Sequence, residues 1–305
     1  MVIYLMAGTT LMAQEQTPSN EPAKNWKLGG KVGVNFAQVG FVNWAKGGEN
    51  SMSGTSFLQL FANRSLDGWE WENKLDLEYG MLKNQGQNPK KTEDRIEFNS
   101  KIGKKASKKW FYSAFLNFKT QFNEGFDYEK VDTPRISNFM APGILTLGIG
   151  MDYKPTDYFS MMISPISSKT IFVMDQELAD AGQYGVKKAE FDNLGVKVKD
   201  GEQIRQEVGA SLTFTFKKDI FTNVNLDTRL DLFSNYLSNP QNIDVDWQTT
   251  LTLKVNKFLN AVVKTHLIYD DDTDVSWQKD GIVHNSPITQ FQQSIAVGLM
   301  YQFQN

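Results

Sequence analysis

The chain reads as an all-β protein: a transmembrane, antiparallel, up-and-down β-barrel of about twelve strands with periplasmic termini. Three observations predict it. About a dozen segments, roughly ten to fourteen residues each, carry strand-like period-two patterning. Their connectors alternate strictly between short and long. Aromatic side chains gather beside the short ones. A membrane barrel is built with short turns at one end and long loops at the other, whereas a soluble sandwich has no reason to sort its loops by length.

The composition fits one large domain. The chain has 305 residues, of which 40% are hydrophobic and 12% aromatic. Its formal net charge of -3 gives no electrostatic case for a nucleic-acid partner. A mean hydropathy of -0.41 suits a soluble protein, but a barrel wall turns only half its side chains to lipid, so the average understates membrane character. With no cysteine, a disulfide framework and cysteine-ligated metals are excluded. No apolar stretch reaches the ~18 residues of a membrane-spanning helix.

Residues 1–13 carry the apolar run Val2-Ile3-Tyr4-Leu5-Met6, then small residues up to Leu11-Met12-Ala13-Gln14. This resembles the core and cleavage region of a secretory signal peptide, with Ala13 the last residue removed. A basic segment ahead of it is missing, so the precursor is expected to start earlier. Residues 14–25 are polar, contain Pro18 and Pro22, and read as a flexible periplasmic leader. The barrel is assigned to residues 26–305.

Within the barrel the tight links are expected at Ser65-Leu66-Asp67-Gly68, Lys104 to Lys109, Lys154-Pro155-Thr156-Asp157, Lys217-Lys218-Asp219 and Asn256-Lys257. The long loops are Ala37 to Ser51, Lys83 to Lys91, Asn123 to Pro142, Met174 to Glu202, Tyr236 to Asn242 and Asp271 to Ile288. Between them the alternation is direct, because successive strand residues point to opposite faces. Leu145, Leu147, Ile149, Met151 and Tyr153 alternate with Thr146, Gly148, Gly150 and Asp152. Val208, Ala210, Leu212, Phe214 and Phe216 alternate with Glu207, Gly209, Ser211, Thr213 and Thr215. The same pattern runs through Val224 to Leu232, through Val245 to Val255, and through Ile295 to Phe303. Met52 to Asn63 and Tyr158 to Val173 alternate poorly.

Ring placement separates a membrane barrel from a soluble one. Trp69, Trp71, Trp110, Phe111, Tyr112, Tyr158, Phe159, Phe221 and Phe258 flank the short turns and suggest one interfacial girdle. Tyr79, Phe122, Tyr236 and Tyr269 lie near the long loops and suggest the other. Trp and Tyr favour the headgroup layer because the ring is apolar while its N–H or O–H wants water. The final segment, with Tyr301 and Phe303, has the aromatic-rich character that barrel-insertion machinery reads.

Several elements carry a resemblance. They are Asn35-Phe36-Ala37-Gln38, Asn43-Trp44-Ala45-Lys46-Gly47-Gly48-Glu49-Asn50-Ser51, Ala141-Pro142-Gly143, Leu147 to Tyr153, Ile163-Ser164-Pro165 and Lys169-Thr170. From about Trp26 onward the chain resembles an uncharacterised family of Bacteroidota outer-membrane barrels, a domain-of-unknown-function family. Its Asn-Trp-x-x-Gly-Gly-x-Asn-Ser element is the most specific piece. The resemblance implies the outer membrane of a Gram-negative cell. It brings no established catalytic, cofactor or metal residues.

The densest candidate interaction element is therefore Asn43, Trp44, Gly47, Gly48 and Asn50. Loop-shaping residues dominate it, which favours a loop folded into the barrel mouth over a contact surface centred on Trp44. The second candidate is the inward face, which is mixed in sign: Lys74, Asp76, Arg95, Glu97, Asp227, Arg229, Asp231 and His266, with Glu78, Lys101, Lys119, Asp152, Glu207, Asp246 and Lys264 among its neighbours. A barrel of about twelve strands is roughly 24 Å across its backbone. Interleaved charges would cross-link such a lumen, whereas a charge-selective pore lines its constriction with one sign. Asp270-Asp271-Asp272 with Asp274 is a weak calcium candidate that matches no EF-hand spacing. His266 is expected to face the lumen, and His284 lies in a loop beside Ser286 without a triad signature.

The functional expectation is a structural or interaction barrel of the cell envelope with a narrow or closed lumen. A narrow passive channel is the alternative, and an outer-membrane lipid hydrolase a more distant one. No catalytic role and no cofactor are assigned. The expected partners are outer-membrane lipid and lipopolysaccharide, and other envelope proteins.

Overall fold

The computed structural model describes residues 26–41, 49–128, 130, 132–279 and 282–305. Twelve antiparallel strands form one closed barrel. In chain order they are β1 (Trp26–Val39), β2 (Ser51–Leu66), β3 (Trp69–Asn84), β4 (Lys90–Lys105), β5 (Trp110–Thr120), β6 (Gly143–Thr156), β7 (Phe159–Phe172), β8 (Ile204–Phe221), β9 (Val224–Asn235), β10 (Asp244–Lys254), β11 (Leu259–Tyr269) and β12 (Gln290–Gln304). Each pairs with its neighbours in sequence. β1 closes the ring on β12, from Gly29 opposite Gln304 to Phe36 opposite Val297. Closure leaves no strand edge unpaired.

The connectors sort by end. Asp67-Gly68 turns β2 into β3 with φ of 50° and 77°, the double left-handed geometry that hairpins of right-twisted strands prefer. Both chain ends of the barrel lie at this short-turn end, since Trp26 pairs with Arg64 and the backbone N–H of Asn305 donates to the Leu28 carbonyl at 3.0 Å.

Three expectations need correction. The turn placed at Lys217-Lys218-Asp219 lies further on, because those residues pair with Asp227, Leu226 and Asn225 and the chain reverses at Thr222-Asn223. Asn223 there has a φ of 63°, which Asn tolerates. A charge run at a strand end belongs to the wet interface, so it does not break the strand. Second, several strands exceed the expected length: β2, β3 and β4 have 16 residues each and β8 has 18. About 9–11 residues cross a bilayer, so these strands project beyond it. Third, Phe111 is not part of the girdle. It is buried on the inward face opposite Asp152.

The two poorly alternating segments have separate causes. In β2, Phe57 and Phe61 point inward, where each ring lies over a glycine of β1, Gly33 and Gly29 respectively. In β7 a bulge interrupts the ladder around Pro165. Met162 and Ser164 face inward before it, and Ser167, Lys169 and Ile171 after it. Proline removes a ladder donor and is tolerated at such bulges.

Polarity is reversed relative to a soluble barrel. Ile149, Ile166 and Ile295 are 65%, 67% and 71% exposed, while inward Asp152, Glu97 and Glu207 are 1%, 3% and 2% exposed. Soluble monomers rarely expose contiguous apolar patches beyond a few hundred Å². This wall faces hydrocarbon. Rings pair along the short-turn rim: Trp26 with Trp71 at 5.5 Å, Trp110 with Tyr153 at 4.7 Å and Tyr158 with Phe216 at 5.7 Å. Arg64, Lys104 and Lys218 lie over Trp26, Trp69 and Tyr158, snorkelling their charges toward the interface.

A small hydrophobic cluster sits at the long-loop end. Ala141, Ile171, Val173, Leu178, Ala179 and Val186 bury one another with Tyr184 against them. Leu178 and Ala179 come from a short helix, α1 (Gln176–Asp180), capped by Asp175, which accepts from the N–H of Glu177 at 3.1 Å. Arg135, from the preceding long loop, pairs with Asp175 at 3.2 Å, with Glu124 at 2.9 Å and with Glu177. Tyr184 Oη donates to the Ile136 carbonyl at 2.8 Å. Two long loops are thereby packed into one cap at the rim.

Candidate functional site: a cross-linked lumen and a basic vestibule

Strand parity delivers the inward charges and barrel closure decides their partners. At mid-height, Glu97 of β4 lies between Arg95 at 3.8 Å and Arg229 at 3.9 Å. Arg229 also holds Asp231 at 2.7 Å. Lys119 of β5 reaches Asp246 of β10 at 2.8 Å and Asp231 at 3.6 Å. His266 Nε2 lies 2.9 Å from the other Asp246 oxygen. Lys264 of β11 pairs with Glu78 of β3, which Arg95 also contacts at 3.0 Å. Lys74 pairs with Asp76 at 2.9 Å, and Asp227 with Lys217 at 3.5 Å.

Neutral amides complete the ties, and sequence reasoning missed them. Arg95 donates to Gln248 Oε1 of β10 at 2.6 Å, and Arg229 to Asn99 Oδ1 of β4 at 2.6 Å. Asn117 donates to Glu97 at 3.0 Å and to Asn99 at 2.7 Å. The available signal was polar amides at inward parity next to charges. Four of these contacts, Lys264 to Glu78, Arg95 to Gln248, Arg229 to Asn99 and Lys119 to Asp246, run from β3, β4 and β5 across to β9, β10 and β11, through the interior and not along the wall. The space left among them is small, with cavities of about 110 and 170 Å³.

Toward the long loops a second cluster forms. Lys169 contacts Asp244 at 2.7 Å, Asp270 at 3.1 Å and Glu207 at 3.6 Å. Arg205 bridges Glu207 at 2.9 Å and Asp272 at 3.2 Å. Asn242 donates to Asp271 at 2.7 Å. The acidic run considered for calcium is thus spent on Lys169, Arg205 and Asn242. No metal-ligating group of three or more such residues occurs among the described residues.

In the cap, burial opposes the charge of Asp175. Hydrogen bonds from Asn138 and the Leu178 N–H, with the Arg135 guanidinium, outweigh it and hold the carboxyl below its ordinary range. Asp180 is held at about 2, chiefly by Lys197 with the Gly201 N–H and Gln176. Burial pushes the Tyr184 phenol up.

Toward the short turns the lumen widens into a cavity of about 910 Å³ that reaches Lys108 and Asp157 in the turns. Lys154 there holds Glu70 at 2.7 Å and Glu72 at 2.6 Å, and Lys101 holds Asp152 at 2.6 Å.

The other candidates are placed as follows. Asn43, Trp44, Gly47 and Gly48 lie outside the described residues. Asn50 accepts from the Phe41 N–H and donates to Gln85 Oε1 at 2.8 Å, tying the bases of the first two long loops. His284 stacks on Trp277 at 4.6 Å in the last long loop.

Wall and lumen together define the class, a transmembrane antiparallel β-barrel whose interior is polar. In sequence, residues 36–126 match a family described as a protein of unknown function (DUF3078). No curated protein matches the chain. In structure it is similar to the translocator domain of the autotransporter NalP from Neisseria meningitidis, with 9% identity, a TM-score of 0.41 and coverage of 93% of this chain and 90% of that one. It is similar to the COG4313 outer membrane channel from Pseudomonas putida F1, with 11% identity, a TM-score of 0.38 and coverage of 90% and 96%. It is also similar to the NanC porin, with 8% identity, a TM-score of 0.38 and coverage of 90% and 100%.

Proposed function

We propose that this protein is an outer-membrane β-barrel that serves the cell envelope as a structural or interaction component, with its lumen held shut by its own side chains. One observation carries the proposal: four contacts span the interior at mid-height, Lys264 to Glu78, Arg95 to Gln248, Arg229 to Asn99 and Lys119 to Asp246. In a narrow, partly dry lumen these pairs are harder to screen than surface pairs worth about 0–1 kcal/mol. They restrict passage to water, ions or very small solutes. Lipid and lipopolysaccharide would contact the outer wall, and envelope proteins the long-loop cap. The resemblance at Asn43 to Ser51 supports a Bacteroidota cell as the setting. No catalytic role is proposed: His266 is held by Asp246 inside the lumen and His284 by Trp277 in a loop.

The test is conductance in planar bilayers. The unmodified barrel is expected to show little or none, and the double variant Arg95→Ala with Lys74→Ala to raise it. A large, stable, ohmic conductance from the unmodified protein would overturn the closed lumen and favour a narrow passive channel. The two small mid-height cavities between vestibule and mouth are the observation behind that second reading.

A further inference from the structure

The protein has five arginines, and four of them hold carboxylates: Arg95 holds Glu78, Arg135 holds Asp175, Arg205 holds Glu207 and Arg229 holds Asp231. Arg64, near the short-turn end of β2, holds none. It is half-buried, its side chain makes no salt bridge or hydrogen bond among the described residues, and its Nε is buried without a partner. A guanidinium taken partly out of water without an acceptor is costly, so what surrounds it indicates what would satisfy it.

The surroundings are aromatic and face outward. Arg64 has the parity opposite to inward Phe57 and Phe61, and the ladder sets it between Trp26 of β1 and Trp71 of β3. Its guanidinium lies 5.7 Å from the centre of the Trp26 ring, and the Trp26 and Trp71 rings are 5.5 Å apart. Trp71 donates its indole N–H to Ser100 Oγ at 3.0 Å, which fixes the ring. Two residues back along β3, Trp69 faces the same way, with Lys104 opposite it on β4 and Tyr112 opposite Lys104 on β5. Lys104 lies 5.1 Å over the Trp69 ring and donates to the Asp67 carbonyl at 2.9 Å, but it forms no salt bridge. Strand spacing and rise put Arg64 and Lys104 roughly 12 Å apart at Cα. The turn between β2 and β3 has one carboxylate, Asp67, so two cations face one anion and can take one more negative charge. Above the rings the outward side chains of Ile102 and Phe98 are exposed.

We infer that this outward patch on the rim of β1 to β5 is a binding site for an anionic glycerophospholipid. The phosphate diester accepts from the planar fork of Arg64. Lys104 adds attraction over a distance comparable to the Debye length. The tryptophan rings sit at the boundary between headgroup and chains, and the chains run up the wall over Ile102 and Phe98. A zwitterionic lipid is disfavoured because it brings its own cation to a site that already has two. The inference rests on the reading of the outer wall as lipid-facing and not on the closed lumen, which conductance tests separately.

The test is mass spectrometry of the intact full chain, released from a neutral detergent and titrated with phosphatidylglycerol or with phosphatidylcholine of the same acyl chains. An interfacial cation adds roughly five-fold in affinity for anionic lipid. With Asp67 opposing, phosphatidylglycerol is expected to bind about ten-fold more tightly than phosphatidylcholine. Arg64→Gln with Lys104→Gln should remove most of that preference. Lys218→Gln with Lys257→Gln, which removes two cations elsewhere on the same rim, should keep it. Heat-modifiable migration in SDS gels shows that each variant is folded. Arg64→Lys keeps the charge, removes the fork and should lose several-fold in phosphatidylglycerol affinity. Equal affinity of the unmodified protein for the two lipids would overturn the proposal, as would a preference unchanged in the folded Arg64 and Lys104 double variant. Equal losses in the two double variants would reduce the site to diffuse rim charge and overturn it too. Full affinity in Arg64→Lys would overturn the role of the fork.

Discussion

The mid-height lumen and the vestibule share the same strands and the same inward parity, yet they use charge in opposite ways. At mid-height Glu97 meets Arg95 and Arg229, and Asp246 meets Lys119 and His266. In the vestibule lysines outnumber the carboxylates that face them. The difference follows from distance and water. Where opposite walls come within side-chain reach, desolvation makes an unpaired charge costly, so only matched sets are tolerated. Where the lumen widens and water enters, a cation needs no partner.

The largest expected effect comes from breaking a matched set. Arg229→Ala leaves Glu97, Asp231 and the Asn99 carbonyl short of a donor. Removing one partner of a buried pair costs about 3–5 kcal/mol. Urea titration of heat-modifiable folded barrel should show that loss, whereas Lys31→Gln should leave the midpoint nearly unchanged. Equal losses would erase the distinction between the two regions.

Next in size is the outer wall. Leu147→Arg or Leu251→Arg puts a charge against hydrocarbon, costing roughly 2–4 kcal/mol near mid-membrane. Thr146→Arg and Thr250→Arg, on the inward face, should assemble better. Assembly yield in membranes is the readout, and equal tolerance would sink the assigned faces.

Orientation sharpens the comparison by fixing which compartment the vestibule meets. The chain has no native cysteine, so single cysteines report cleanly. Gly182→Cys, in the cap loop, should react with an impermeant thiol reagent on intact cells. Thr156→Cys, at the short-turn end, should not. The reverse pattern would turn the barrel over.

The smallest effect is acid loosening of the cap. The carboxyl of Asp175 lies below its ordinary value of 3.8 in the folded cap. Its contribution is therefore fully present above that value and is lost as the pH falls through the folded one. Protease nicking between Met174 and Gln203 should rise in that acid window and not between pH 5 and 8. Asp175→Asn should reduce the pH dependence.

Much of the fold was legible locally. Leu145 to Tyr153 and Ile295 to Phe303 alternate without interruption, because one face meets lipid throughout; the bulge opposite Ile149 to Met151 is taken up by the neighbouring strand. The segments that resisted did so for tertiary reasons. Phe57 and Phe61 break the pattern of β2 because they cover glycines of a neighbouring strand, and Pro165 resets the parity of β7 at a bulge. Lys217 to Asp219 looked like a turn because charge and turn propensity coincide at the membrane interface.

The inward direction of Lys74, Asp76, Arg95, Glu97, Asp227, Arg229, Asp231 and His266 follows from period two alone. The sequence by itself therefore determined a barrel with a polar, mixed-sign interior. Which charges meet was decided only by closure. The partners that span the lumen lie 127, 130, 153 and 186 residues apart along the chain. No local pattern encodes such a separation. It is set by strand number, register and tilt acting together, and these place some lysines opposite carboxylates and leave others facing water.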